Sequence, residues 1–191
     1  MRYLLILLIL VFVPKHKKEI IVVSKPIPIE THITHFPKIY KKIREHEGYY
    51  SNHPSDKGGE TYAGITRRYN PKWYGWKYVR SHKRNEIIPE AEYWVLDHYL
   101  DIWVDEGYDT IKDYNVALAL FDFRVHSSPK TVNKKLNRVL DTMGICSVND
   151  ADPTEFVLRL KIERILLYNY LVKNDSTQLV FYRGWVKRLA V

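Results

Sequence analysis

Cysteine is almost missing from this chain. Cys146 stands alone, which excludes an intrachain disulfide and any cysteine-based metal site. A lone thiol fits a reducing compartment, or a protein whose core suffices without a covalent staple. No run of like charges reaches five residues, so there is neither a basic arm nor an acidic tail. Zinc-ligand spacings, phosphate-cradling glycine loops, heptad seams and internal repeats are absent too. With those signals missing, the sequence implies neither a metal nor a cofactor.

What is present is ordinary in proportion but skewed in charge. Hydrophobic residues make up 46% of the 191 positions and charged ones 27%, which indicates a folded chain of one domain, or one domain with a tail. The formal net charge is +8, and the isoelectric point lies near 9.4. Such a chain is drawn to polyanions: nucleic acid, acidic lipid or anionic cell-wall polymer. A nucleic-acid binder needs its cations on one face, and the even scatter of Lys and Arg argues against that class. Fifteen Tyr and five Trp supply flat rings that suit sugars, bases and protein cores alike.

The first stretch of note is residues 3–13, an unbroken apolar run after Arg2. It falls short of the ~20 residues that span a bilayer and matches the core of a secretory signal. No small-residue cleavage site follows, and Lys15, Lys17 and Lys18 oppose translocation. A cleaved signal, an uncleaved anchor and a buried strand all stay open, with export or membrane tethering the favoured reading. Residues 19–35, with Pro26 and Pro28, read as an extended linker. The expected organisation is therefore a leader and linker over 1–35 and a domain over 36–191.

Within the domain the periodicity predicts five or six helices and at most a small β-hairpin. A first helix carries Phe36, Ile39, Tyr40 and Ile43 on one stripe. A second runs from Pro89 to about Trp103. Residues 115–126 are apolar on nearly all sides, which marks a central buried helix; Asp122 and Arg124 inside it require partners. Helices opening at Ser128-Pro129 and Thr154-Glu155 follow, then a last one carrying Leu179, Phe181, Trp185 and Leu189. The aromatic group Trp73, Tyr74, Trp76 and Tyr78 is either a sugar-binding groove or a loop packed on the core. The fold class is mainly α, a compact bundle around the buried central helix.

Chemistry concentrates in residues 47–66. The first helical stripe, continued, lands on Glu47, and Gly48 is the expected helix stop. Burial and the negative helix end both disfavour a carboxylate there, so an elevated pKa is expected, as a general acid needs. A turn-rich loop then brings Asp56, Gly58, Gly59, Glu60 and Thr61. Gly58-Gly59 lets the backbone approach a ligand closely, and His126, at the end of the central helix, is placed to face a cleft.

The run from Glu47 through Gly48, Tyr49, Tyr50, Asp56, Gly58, Gly59 and Thr61 to Gly64-Ile65-Thr66 resembles the signature of glycoside hydrolase family 108. Ala117–Phe123 and Gly184–Arg188 resemble its C-terminal, peptidoglycan-associated half, so 36–110 is expected to carry the catalytic motif and 111–191 that half. Tyr49, His53, Lys57 and Tyr62 depart from the family pattern. The resemblance implies a lysozyme-like α+β architecture and an N-acetylmuramidase of endolysin type, acting on peptidoglycan in the periplasm or cell envelope, as a monomer. It implies Glu47 as the acid, Asp56 as the partner that stabilises charge or activates water, and Thr61 as the water holder. Tyr50, Gly59, Glu60, Tyr62 and His126 are the candidate substrate contacts. The alternative is a wall-binding protein that has lost catalysis.

Overall fold

The structure, a computed structural model, describes residues 35–190 apart from 55, 57 and 80–85, with no side-chain description for His46. The apolar leader and most of the expected linker lie outside the described residues. The described chain contains six α-helices: α1 (Phe36–His46), α2 (Pro89–Asp105), α3 (Tyr114–His126), α4 (Pro129–Met143), α5 (Pro153–Asn174) and α6 (Leu179–Lys187). Between α1 and α2 lie three two-residue strands, β1 (Tyr50–Ser51), β2 (Thr61–Tyr62) and β3 (Ile65–Thr66), forming an antiparallel sheet in sequence order. The architecture is mainly α, lysozyme-like with a small sheet. That sheet exceeds the single expected hairpin by one strand, because Tyr50 and Ser51 return against Tyr62 and Thr61 across the polar loop.

Local chemistry explains the element boundaries. Proline occupies the first turn of α1, α2, α4 and α5, where its missing N–H costs nothing. Asp113, Ser128 and Asp152 cap α3, α4 and α5 by accepting backbone N–H bonds. The β2–β3 turn is Ala63-Gly64, with φ of 52° and 80°. Two left-handed residues in a two-residue loop match the twist of the flanking strands.

Helix α3 is the axis of the core. Val116, Ala117, Leu118, Leu120, Phe121 and Phe123 are all buried, so the helix is covered on nearly every side, as its sequence requires. Phe121 meets the rings of Trp103 and Tyr108 edge-on at 5.0 and 5.2 Å. Helices α4 and α5 pack against α3 from the other side. The aromatic group of residues 73–78 is mainly core packing. Trp76 is buried, Trp73 stacks on Tyr62 and donates to the Trp94 carbonyl, and Tyr74 stays exposed.

One ion pair is enclosed between α3 and α5. On α5 the buried row Phe156, Leu160, Arg164, Tyr168 recurs every fourth residue, so an arginine sits in an otherwise apolar stripe. Its Nη2 donates to Asp122 Oδ2 of α3 at 2.7 Å and its Nε to the Tyr168 hydroxyl at 3.1 Å. The second α3 charge, Arg124, pairs with Glu106 at the surface-facing end of α2. Removing one member of the enclosed pair strands the other charge. Arg164→Met is expected to cost about 3–5 kcal/mol in urea denaturation, and the double variant Asp122→Leu/Arg164→Met to recover a large part of it. Equal losses in the single and double variants would show that the pair is not coupled in this way.

Candidate active site

Glu47 follows α1 directly and ends it. Its backbone is extended, at φ −80° and ψ 123°, while its N–H still donates to the Ile43 carbonyl. The helix therefore stops because Glu47 itself leaves helical geometry. Gly48, the expected stop, is not among the glycines with positive φ. Phe36, Ile39 and Ile43 are buried on one stripe, and Glu47, at 8% exposure, continues it. The carboxylate faces inward as the periodicity requires.

Three other parts of the chain meet it there. His126, the last residue of α3, places Nε2 at 2.5 Å from Glu47 Oε1. Arg188, just after α6, donates from Nη1 to the same oxygen at 2.8 Å. Gly64 of the β2–β3 turn lies against the other oxygen: a Cβ there would be 2.7 Å from Oε2 and 2.6 Å from the Tyr99 hydroxyl. That hydroxyl donates to the Ala63 carbonyl at 2.7 Å, tying the turn to α2. Only a glycine fits this corner, for reasons of both space and backbone angle.

The electrostatics overturn the expected elevated pKa. Burial pushes the Glu47 carboxyl up, but the charge and hydrogen bond of His126, then those of Arg188, outweigh it and hold the group at about 2. Sequence periodicity reveals desolvation; it does not reveal a histidine and an arginine that meet the carboxylate from 79 and 141 residues away. Behind His126, Nδ1 contacts the Asp122 carbonyl oxygen at 2.6 Å and stands 3.8 Å from the Asp122 carboxylate. The enclosed Asp122–Arg164 pair therefore supports the histidine that touches Glu47.

The polar loop after β1 is folded on itself. Asp56 Oδ1 accepts the Gly58 N–H at 2.8 Å, and its carbonyl accepts the Gly59 N–H. Among the described residues no hydrogen bond or ion pair joins Asp56 to Glu47. Thr61 donates its hydroxyl to the Gly59 carbonyl at 3.0 Å, which leaves its oxygen lone pairs able to accept. A Cβ on Gly58 would collide with Thr66 at 2.6 Å, so that glycine brings the loop onto β3, whereas a Cβ on Gly59 would meet nothing. Gly59 is needed for its φ of 70°.

The other candidates separate by position. Glu60 is ion-paired with Arg67. Tyr50 is half-buried beside Glu60, and burial, followed by the charge and hydrogen bond of Glu60, raises its phenol. Tyr62 is a correction: its side chain is fully buried, its hydroxyl donating to Glu92 at 2.6 Å and accepting from the Ile88 N–H. Strand alternation turns Thr61 away from the core and Tyr62 into it, so Tyr62 presents nothing to a substrate. The residue that sequence reasoning missed is Arg188. It lies in a segment noted for its resemblance, but nothing in the pattern points it at Glu47. Among the described residues no group of three His, Cys, Asp or Glu side chains is placed to hold a metal ion.

Comparison with known proteins places this geometry. No curated protein matches the chain. Among solved structures, SagA of Brucella abortus is similar, with 26% identity over 81% of this chain and 89% of that one, and a TM-score of 0.61. Residues 40–127 match the model of glycosyl hydrolase family 108, a span that includes Glu47, the polar loop, the β2–β3 turn and His126. Over that segment the chain is similar to glycosyl hydrolase family 108, and the match supports a glycoside hydrolase that acts on peptidoglycan.

Proposed function

We propose that the protein is an N-acetylmuramidase that cleaves the β-1,4 bond between N-acetylmuramic acid and N-acetylglucosamine, with Glu47 as general acid. The observation that carries this is the position of Glu47. It is a carboxyl buried at the meeting point of α1, the β2–β3 turn, α3 and the C-terminal turn, inside the span that matches the family. An acid positioned by contacts from three elements is placed to protonate a leaving oxygen. The site also crosses the expected division of the domain near residue 110, since Glu47 draws its partners from the second half.

The remaining roles follow from what each side chain has free. Among the described residues Asp56 uses one carboxylate oxygen in its turn bond, and its place on a loop that flanks the sheet suits it to stabilise a sugar cation or to activate water. Thr61, donating to Gly59, accepts from that water. Tyr50, Gly59 and Glu60 line the same loop and strand and would contact the sugar chain. The substrate also indicates where the enzyme works: in the periplasm or cell envelope, after export or while tethered through residues 3–13.

Glu47→Gln is expected to lower lysis of purified peptidoglycan at least about 100-fold, with an unchanged circular dichroism spectrum; near-normal lysis by that variant would overturn the assignment. Mass spectrometry of the released fragments should show muramic acid at the reducing end, and glucosamine there would make the enzyme a glucosaminidase. Gly64→Ala forces a side chain into the left-handed region and against the carboxylate. It is expected to cost about 1–2 kcal/mol and to reduce activity more than the stability loss explains; full activity would show that the corner is not a constraint on the acid.

A further inference from the structure

A general acid must carry a proton, yet the resting contacts of Glu47 keep it ionised. The geometry contains its own answer. The Asp122 carbonyl oxygen can only accept, so His126 Nδ1, at 2.6 Å from it, carries a hydrogen and donates. With Nδ1 protonated, a neutral imidazole has a bare Nε2. The 2.5 Å contact from Nε2 to Glu47 Oε1 therefore needs a proton between the two atoms in either state. The pair is then either carboxylic acid with neutral imidazole, or carboxylate with imidazolium.

We infer that Glu47 and His126 hold one shared proton, and that Arg188 sets which of the two carries it. This rests on the reading of Glu47 as the acid. With Arg188 Nη1 at 2.8 Å from Oε1, the carboxylate is favoured and the proton stays on His126. When Arg188 withdraws, the Nε2–H bond breaks and an Oε1–H bond forms. The imidazole becomes neutral and keeps its Nδ1 bond, and rotation of the carboxyl presents the acid to the leaving oxygen. The ionisable groups packed behind the pair among the described residues fit this arrangement, with Lys161 of α5 lining the cavity beside Arg188. From α3 comes Asp122, from α5 Arg164 and Tyr168, which hold Asp122, and from α2 Tyr99, which is bonded to the Ala63 carbonyl. Of these, Arg188 is the charge on Oε1 that is attached to a lightly held segment. Helix α6 buries none of its residues, and Leu179 and Val180 are both 61% exposed. Few buried contacts mean a low free energy of local opening. A polysaccharide entering beside Glu47 displaces that turn, in which Leu189 is buried.

The test is the pH dependence of lysis for the full chain, with nitrogen NMR of the imidazole as a second readout. In the wild type the shared proton sets the alkaline limb as a property of the pair. His126→Gln can still donate to Oε1 but has no proton to pass. It is expected to lose about tenfold or more in kcat near neutrality, to recover as pH falls, and to leave KM nearly unchanged. Arg188→Met should move the alkaline limb upward and shift the Nε2 resonance toward the neutral form, while Arg188→Lys keeps both near the wild type. A His126→Gln enzyme with the wild-type pH profile, or an Nε2 resonance indifferent to Arg188→Met, would overturn the inference. If instead Glu47→Gln stays active, the acid assignment fails; the Nε2 resonance still decides whether the proton is shared.

Discussion

The contact of Glu47 with His126 and Arg188 is the constraint on which the rest of the structure depends. A carboxylate cannot be buried at the end of α1 without cationic or hydrogen-bonding partners, since an isolated charge there would neutralise or open the fold. Meeting that requirement fixes the end of α3, which must bring His126 to within 2.5 Å. It also fixes the end of the chain, which must return Arg188 from the far side. The catalytic candidate thus holds together segments that share few other direct contacts.

A second enclosed charge supports the first. Asp122 and Arg164 lie 3% and 2% exposed in the core between α3 and α5. Burying such a pair contributes little net stability, because desolvation offsets the attraction. Its use here is positional: the Asp122 backbone oxygen and carboxylate both face His126 Nδ1, fixing ring orientation and tautomer. The β2–β3 turn acts from the opposite side. Its left-handed Ala63-Gly64 pair removes any side chain that would push the Glu47 carboxyl away, and Tyr99 fastens that turn to α2.

Near Glu47 the balance of burial against charge decides the protonation state. Burial alone would make the residue a ready acid. His126 and Arg188 reverse that, and Arg188 directly follows α6, a helix that buries none of its residues. On the proposed reading of Glu47 as the acid, its ionised and protonated forms differ by the displacement of one side chain, a small motion with a large effect on reactivity.

Periodicity by itself determined much of this protein. The stripe Phe36, Ile39, Ile43 pointed Glu47 inward, and the nearly continuous apolar run 115–126 marked α3 as the central helix, because burial on one side or all sides leaves a direct trace in residue order. Prolines and short polar caps set the helix starts for the same local reason. Tertiary structure alone decided what depends on distant residues meeting. The third strand arose only when Tyr50 paired across the loop with Tyr62. Tyr62 proved to be core because the sheet turns its ring inward, onto Glu92 of α2. Arg188 reached Glu47 across 141 residues, and the carboxyl went down rather than up because Coulombic partners are a matter of space, and spacing along the chain carries no record of them.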